Sequence, residues 1–331
     1  MYASKAATVP GLDDMKGVSK RLLLIWLCWL ITSPTAVAET FLLPPGDVGV
    51  IGRLEFTSAG RNDTLLDIAR RYDIGQNEIL LANPDVDRWM PKDNSRVIIP
   101  SRYVLPRADR RGVVINLPEM RLYYFPRTKP GQQQTMITHP ISVGRMDWRS
   151  PLGKTSIISK QTDPSWTPPE SIKQEALADG RVLPDVIPGG PDNPLGRFAM
   201  RLGIPGYLIH STNKPYGVGM RVTHGCIRMY PEDIEGLFAD IPVGTQVTLV
   251  NQPIKLGWLA GALFLELHPP LEEDEPLYQD YLQRVLDAVA DMLAEQPDSP
   301  ALNADRRLSL SGAALRQAVE EKSGIPIQIT R

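Results

Sequence analysis

Cysteine is nearly absent from this chain. There are two in 331 residues, Cys28 and Cys226. Aromatic residues make up only 7% of the sequence. Charge of one sign is also lacking, since the formal net charge is -2. That balance gives no reason to expect nucleic acid as a partner. No internal repeat stands out, which argues against a solenoid. The apolar run from Leu22 to Ile31 is shorter than the roughly 20 residues a membrane span needs. Proline and glycine are not scarce, at 31 and 26 residues. They are too scattered for a disordered chain and describe a loop-rich globular protein.

The N-terminus accounts for one of the two cysteines. Lys16, Lys20 and Arg21 precede the apolar run, and Ala36-Val37-Ala38 follows it. A basic segment, an apolar core and a small-x-small site form a secretory signal over residues 1–38. An uncleaved anchor is the alternative. Leu27 stands where a lipoprotein signal would need a small residue before Cys28. Cleavage removes four basic and two acidic residues, so the charge of -2 becomes -4. The remainder, about 290 residues, is enough for roughly two domains, with no stable membrane span. Cys226 is then a lone thiol without an intramolecular disulfide partner. An exported thiol is exposed to oxidation and exchange. Its retention points to use as a nucleophile, with a histidine as base.

Residues 54–101 read as a small βααβ unit. Leu54-Glu55-Phe56 is a short strand. Asp63 or Thr64 caps a helix carrying Leu65, Leu66, Ile68, Ala69 and Tyr72. A second helical turn holds Ile79, Leu80 and Leu81, and Asn83-Pro84 stops it. Arg96 to Pro100 returns as a strand, and Arg102 to Arg111 would be the connection onward. Residues 110–250 are strand-rich. Val113–Leu117 and Arg121–Phe125 flank a turn at Pro118-Glu119-Met120. Thr135–Val143, Lys154–Lys160, Tyr207–His210 and Gln246–Val250 are further β segments. The one helix expected in this stretch is Pro231 to Phe238. Many short strands with Pro/Gly breaks predict a sandwich or barrel. Residues 251–331 form a tail. It has a hairpin around Ala260-Gly261, then a helix with Tyr278, Tyr281, Leu282, Val285, Val289 and Met292 on one stripe. A last short helix runs from Ser311 to Glu321.

The chemistry lies between residues 144 and 230. His210-Ser211-Thr212 ends an apolar strand, and Thr223-His224-Gly225-Cys226-Ile227-Arg228-Met229 follows, with Cys226 sixteen residues after His210. An imidazole near Cys226 can take its proton, leaving a partly ionised thiolate. Gly225 removes a side chain that would block approach, and the backbone N–H groups there can form an oxyanion hole. His224 would orient the site, contact substrate or simply pack. Arg228 would hold the loop, meet a substrate carboxylate or form an internal ion pair. Histidine before cysteine argues against a papain-like order. Zinc on His210, His224 and Cys226 is the competing reading, but a fourth ligand is hard to find. His139 and His268 lie outside this constellation and read as structural.

These residues resemble the signature of the L,D-transpeptidases with a YkuD-type catalytic domain. Val143-Gly144-Arg145, Ser150-Pro151-Leu152-Gly153, Trp166-Thr167-Pro168-Pro169 and Asn193-Pro194-Leu195-Gly196 fit the same family. The βααβ unit resembles a LysM module through Asn62-Asp63-Thr64-Leu65, Ile68-Ala69, Tyr72, Leu80, Ala82-Asn83-Pro84 and Ile98-Ile99-Pro100. It departs at Asn62, where that family more often has glycine. The resemblance implies a mainly β, sandwich-like catalytic domain, a LysM-like module binding peptidoglycan glycan, and a helical C-terminal tail bracing the catalytic domain. It looks closest to the periplasmic branch that attaches a lipoprotein to peptidoglycan. It implies Cys226 as nucleophile, His210 as base, Ser211 as its orienter and Gly225 in the catalytic turn, with no metal or organic cofactor. The acceptor would be the C-terminal lysine of an envelope lipoprotein or the diaminopimelate of another stem. Water as acceptor would make the chain a carboxypeptidase or hydrolase. A non-catalytic peptidoglycan-binding scaffold is the reading from another class.

Overall fold

A computed structural model describes residues 40–44, 48–295 and 309–330. The expected signal at residues 1–38, with Cys28, lies outside the described residues. Among those described, no helix is long and apolar enough to cross a membrane.

The chain opens with β1 (Thr40–Leu42) and β2 (Val50–Gly52). A small unit follows, made of β3 (Glu55–Ser58), α1 (Leu65–Arg71), α2 (Gln76–Ala82) and β4 (Arg96–Ile99). Thr64 starts α1 through a capping box: its Oγ1 accepts from the Asp67 N–H, and the Asp67 carboxylate accepts from the Thr64 N–H. Asn83 does more than stop α2. Its amide donates to the carbonyls of Ile79 and Ile98 and accepts from the Ile98 N–H, stitching the helix to β4. Leu65, Ile68, Ile79, Val97 and Ile99 form the unit's own core.

The segment expected to be a plain connection begins as a strand, β5 (Arg102–Val104), paired antiparallel with β2. Burial explains it. Tyr103 packs edge-on against Phe41 and Tyr123, and Val104 against Phe264. Three residues are too few to show alternation in sequence.

The large β unit runs β6 (Gly112–Asn116), β7 (Arg121–Phe125), β8 (Thr135–Gly144), β9 (Gly153–Thr162), α3 (Glu170–Ala178), β10 (Phe198–Leu202), β11 (Leu208–His210), β12 (Arg221–Thr223), β13 (Ile227–Met229), α4 (Pro231–Asp240) and β14 (Gln246–Val250). The mainly β expectation holds. Two long strands pass from one layer to the other. β8 pairs with β1 and β7 along its first half, then with β12 and β13 along its second. β9 pairs with β14 up to Ser156 and with β10 beyond it. One layer is therefore β8-β7-β6-β14-β9 and the other β9-β10-β11-β13-β8. Sharing both border strands leaves few free edges. Ile115, Ile141, Ile157, Met200, Ile209, Ile227 and Val247 fill the space between the layers, and Ile234 and Leu237 of α4 pack on the same core. The helix α3 was not expected. Only its Ala176 is buried, so no apolar stripe marks it in the sequence.

The tail contains β15 (Ile254–Leu259), β16 (Ala262–Leu267), α5 (Tyr281–Glu295), α6 (Gly312–Glu321) and β17 (Ile327–Gln328). Ala260 and Gly261, at φ 51° and 78°, make the tight hairpin turn. The acidic stretch winds into a 3-10 segment, Glu272–Tyr278, before α5.

Buried charges join these parts. Lys255 of β15 lies 2.7 Å from both the Glu119 and the Glu266 carboxylates and donates to the Val104 carbonyl at 2.8 Å. Arg121 of β7 makes a two-pronged pair with Glu78 of α2, at 2.8 and 3.0 Å, and reaches the Asp73 carbonyl.

Candidate active site

Two short paired strands carry the key side chains. β11 ends on His210, and β13 begins just after Cys226. They run parallel, with Ile209 opposite Ile227 and His210 opposite Arg228. Side chains alternate faces along a strand. Ile209 and Ile227 point into the core. His210, Arg228 and, one step before Ile227, Cys226 therefore fall on the other face. His210 is buried and Cys226 is half-buried.

The His210 Nδ1–H donates to the Ser211 carbonyl at 2.5 Å. A carbonyl only accepts, so in the neutral ring Nε2 is the acceptor. Burial, then the Arg228 charge, hold the His210 pKa down at about 4. The ring is neutral near pH 7. Ser211 does contact His210, but through its backbone carbonyl rather than its hydroxyl.

The Cys226 thiol lies 3.6 Å from the Gly206 carbonyl. Burial raises its pKa. The Leu208 N–H and the charges of Arg228 and Arg201 work the other way. Where the sequence suggested a partly ionised thiolate, these shifts favour a neutral thiol on the same face as a neutral ring. The cause is desolvation, which disfavours both charged forms. Arg228 is half-buried, and its Nε has no hydrogen-bond partner among the described residues. Its charge acts on both His210 and Cys226.

The turn carrying Cys226 is pinned residue by residue. Gly225 has φ 94°, and a Cβ there would stand 2.7 Å from Tyr207 Cε1 and 3.2 Å from the Arg149 carbonyl. Ser150 Oγ donates to the Gly225 carbonyl at 2.8 Å and accepts from the Gly144 N–H. Thr223 Oγ1 donates to the Cys226 carbonyl at 2.6 Å, and the Arg145 N–H donates to the Thr223 carbonyl. His224 Nε2 donates to Glu175 Oε2 at 2.7 Å, an oxygen that Arg145 Nη2 also reaches at 2.6 Å. The Trp148 ring stands edge-on to His224, with centroids 5.1 Å apart. Arg145, then His224, pull the Glu175 pKa to about 2. Nothing in the sequence singled out Glu175, which comes from the unexpected helix α3.

His210, His224 and Cys226 make no three-donor cluster among the described residues. Two other places do gather such donors, Asp73–His139–Asp233 and Glu119–Glu266–His268. Each already holds a cation. Against the burial that would lower it, Asp73 and Asp233 raise the His139 pKa to about 10. Lys255 occupies the second cluster.

Compared with known proteins, residues 110–249 match the YkuD family, the L,D-transpeptidase catalytic domain. The chain is 36% identical to the probable L,D-transpeptidase YcfS of Escherichia coli, over 89% of this chain and 90% of that protein. It is 34% identical to the probable L,D-transpeptidase ErfK/SrfK of the same organism, over 91% and 94%. Among solved structures it is similar to L,D-transpeptidase 3 of Mycobacterium tuberculosis. That similarity has 17% identity and a TM-score of 0.30, and covers 49% of this chain and 73% of that one.

Proposed function

Because this chain belongs to the L,D-transpeptidase family, we propose that Cys226 is its nucleophile and His210 its base, acting on tetrapeptide stems of peptidoglycan. The observation that carries this is the shared face of β11 and β13, with the His210 ring fixed so that Nε2 accepts. Cys226 attacks the amide that follows the diamino acid. His210 Nε2 takes the thiol proton as the sulfur–carbon bond forms, then gives it to the departing D-alanine amine. Both groups are neutral at rest, so the proton moves during the attack rather than before it. Arg228 favours the negative sulfur, and backbone N–H groups at Gly225 and Cys226 face the developing oxyanion. An amine then resolves the thioester, either a lipoprotein C-terminal lysine or a neighbouring diaminopimelate. Water in that role would make the enzyme an L,D-carboxypeptidase.

The remaining assignments belong to the same reading. Residues 1–38 export the chain to the periplasm. Residues 54–101 are a LysM-like module that holds glycan. Residues 110–250 carry the reaction, and residues 251–331 brace them. His224 and Arg228 serve substrate binding.

Incubation with purified muropeptides, with and without a lipoprotein C-terminal peptide, reads the product by mass. Wild type should release D-alanine and form a new amide. Cys226→Ala should do neither while remaining folded. Normal yield from the folded variant would sink the assignment, and an inactive wild type would favour a binding scaffold. For the LysM-like module, Trp89, which is 59% exposed, is the side chain to remove. Trp89→Ala should lower retention on sacculi and leave turnover of soluble muropeptides unchanged, since a short substrate offers no second contact.

A further inference from the structure

The segment between β9 and β10, residues 163–197, is a self-contained excursion. Asp163 N–H donates to the Arg197 carbonyl at its base, at 2.7 Å. Trp166 and Ile187 bridge its arms. The Asn193 amide, fully buried, ties its two ends by donating to the carbonyls of Pro164 and Pro188. Its helix α3 buries only Ala176, while Leu177, Val182 and Val186 stand exposed. Little of this excursion is held by packing. Its polar reach into the nucleophile's turn runs through Glu175.

From this geometry we infer that Glu175 is a positioning residue for the transpeptidase reaction: it fixes the His224 ring, and with it the Thr223–Cys226 turn. An ionised carboxylate only accepts, so His224 Nε2 must carry the hydrogen, and Nδ1 is the acceptor in the neutral ring. His210 is fixed in the opposite sense, with the hydrogen on Nδ1. Other parts of the turn are held by Ser150, Thr223 and the Arg145 backbone. The His224 side chain is held from α3. Arg145 closes the arrangement, because it bonds the same Glu175 oxygen and also the turn's backbone.

The inference rests on the transpeptidase reading, so its test has one arm that needs no turnover. The chain has four histidines, which makes their ring nitrogens separable by nitrogen-15 NMR. In wild type, neutral His224 should show the hydrogen on Nε2. Glu175→Ala should lose that preference, and Glu175→Gln, which keeps an acceptor oxygen, should retain part of it. In the turnover arm, Glu175→Ala should lower kcat about tenfold or more, the loss expected for a charge-assisted hydrogen bond. KM should change less than about threefold, and Glu175→Gln should recover part of kcat. The melting temperature should move by less than about 2 °C, because the pair is only partly buried. An unchanged His224 tautomer, or an unchanged kcat in Glu175→Ala, would overturn the inference. A fall in kcat matched by a large fall in melting temperature would also overturn it. A wild type without turnover would count against the transpeptidase reading alone, and the NMR arm would still decide Glu175.

Discussion

Arg228 sits beside two groups whose charged forms have opposite sign. It disfavours the His210 imidazolium and favours the Cys226 thiolate. Replacing it with methionine keeps most of the bulk and removes the charge. The His210 pKa should then rise from about 4. The acid limb of kcat/KM, where the base becomes protonated, should move to higher pH. The Cys226 pKa should rise too, so iodoacetamide labelling should need a higher pH in Arg228→Met. Superimposable labelling and rate profiles would show that Arg228 tunes neither group. Gly225 gives the second prediction at this scale. Gly225→Ala meets Tyr207 at 2.7 Å and keeps an unfavourable φ of 94°. Together these should cost about 1–3 kcal/mol and most of the activity. Adding Tyr207→Ala should relieve the clash but not the backbone strain, so rescue should be partial. Full rescue would mean that the turn tolerates a side chain. His210, Cys226 and Gly225 could be proposed from the sequence because the chemistry proposed for them depends on residue type and order. The protonation states could not, because they depend on desolvation and on Arg228, which only the fold supplies. Glu175 was illegible for the same reason: its partner is 49 residues away.

Elements with a periodic signal were readable, and those without one were not. The β6–β7 hairpin, the Ala260-Gly261 turn and the α5 stripe follow from alternation, turn chemistry and helical spacing. β5 and α3 were missed, one too short and the other too exposed to show a pattern. Lys255 is a different failure. In sequence nothing marks it out. In the fold it is buried between Glu119, Glu266 and the Val104 carbonyl, and it ties the tail to β5 and β7. Removing one partner of a buried pair leaves uncompensated charge and typically costs about 3–5 kcal/mol. Lys255→Met should therefore lower the unfolding free energy by roughly that much. Denaturant unfolding checks it, and an unchanged midpoint would mean that water or rearrangement satisfies the two glutamates.

The small βααβ unit and the large β unit share a buried polar seam, so the whole molecule behaves less like beads on a string than the sequence implies. Asp73 and Glu78 come from the small unit, and Arg121, His139 and Asp233 from the large one. Deleting residues 54–101 would strip Arg121 of Glu78 and His139 of Asp73, so glycan binding is better tested by a surface change than by deletion. The seam also predicts how stability depends on pH. Burial opposes the charged form of His139, but Asp73 and Asp233 more than compensate and place its pKa at about 10. Unfolded histidine titrates near 6.5. Between those values the folded state binds the extra proton, so stability falls as pH rises. The contribution is complete below about pH 6.5 and lost through pH 10. Asp233 acts in the same direction: burial, with Asp73 beside it, raises its pKa to about 8, so its contribution fades as pH rises through that value. Wild type should therefore lose melting temperature steadily between pH 7 and pH 10. His139→Gln should start lower at pH 7, because the Asp73 carboxylate loses its cation, and should fall less over the same range. Calorimetric scans of both proteins across that window decide it. Parallel profiles would mean that His139 carries no proton difference between the folded and unfolded chain, and that the seam is held by Arg121 and Glu78 alone.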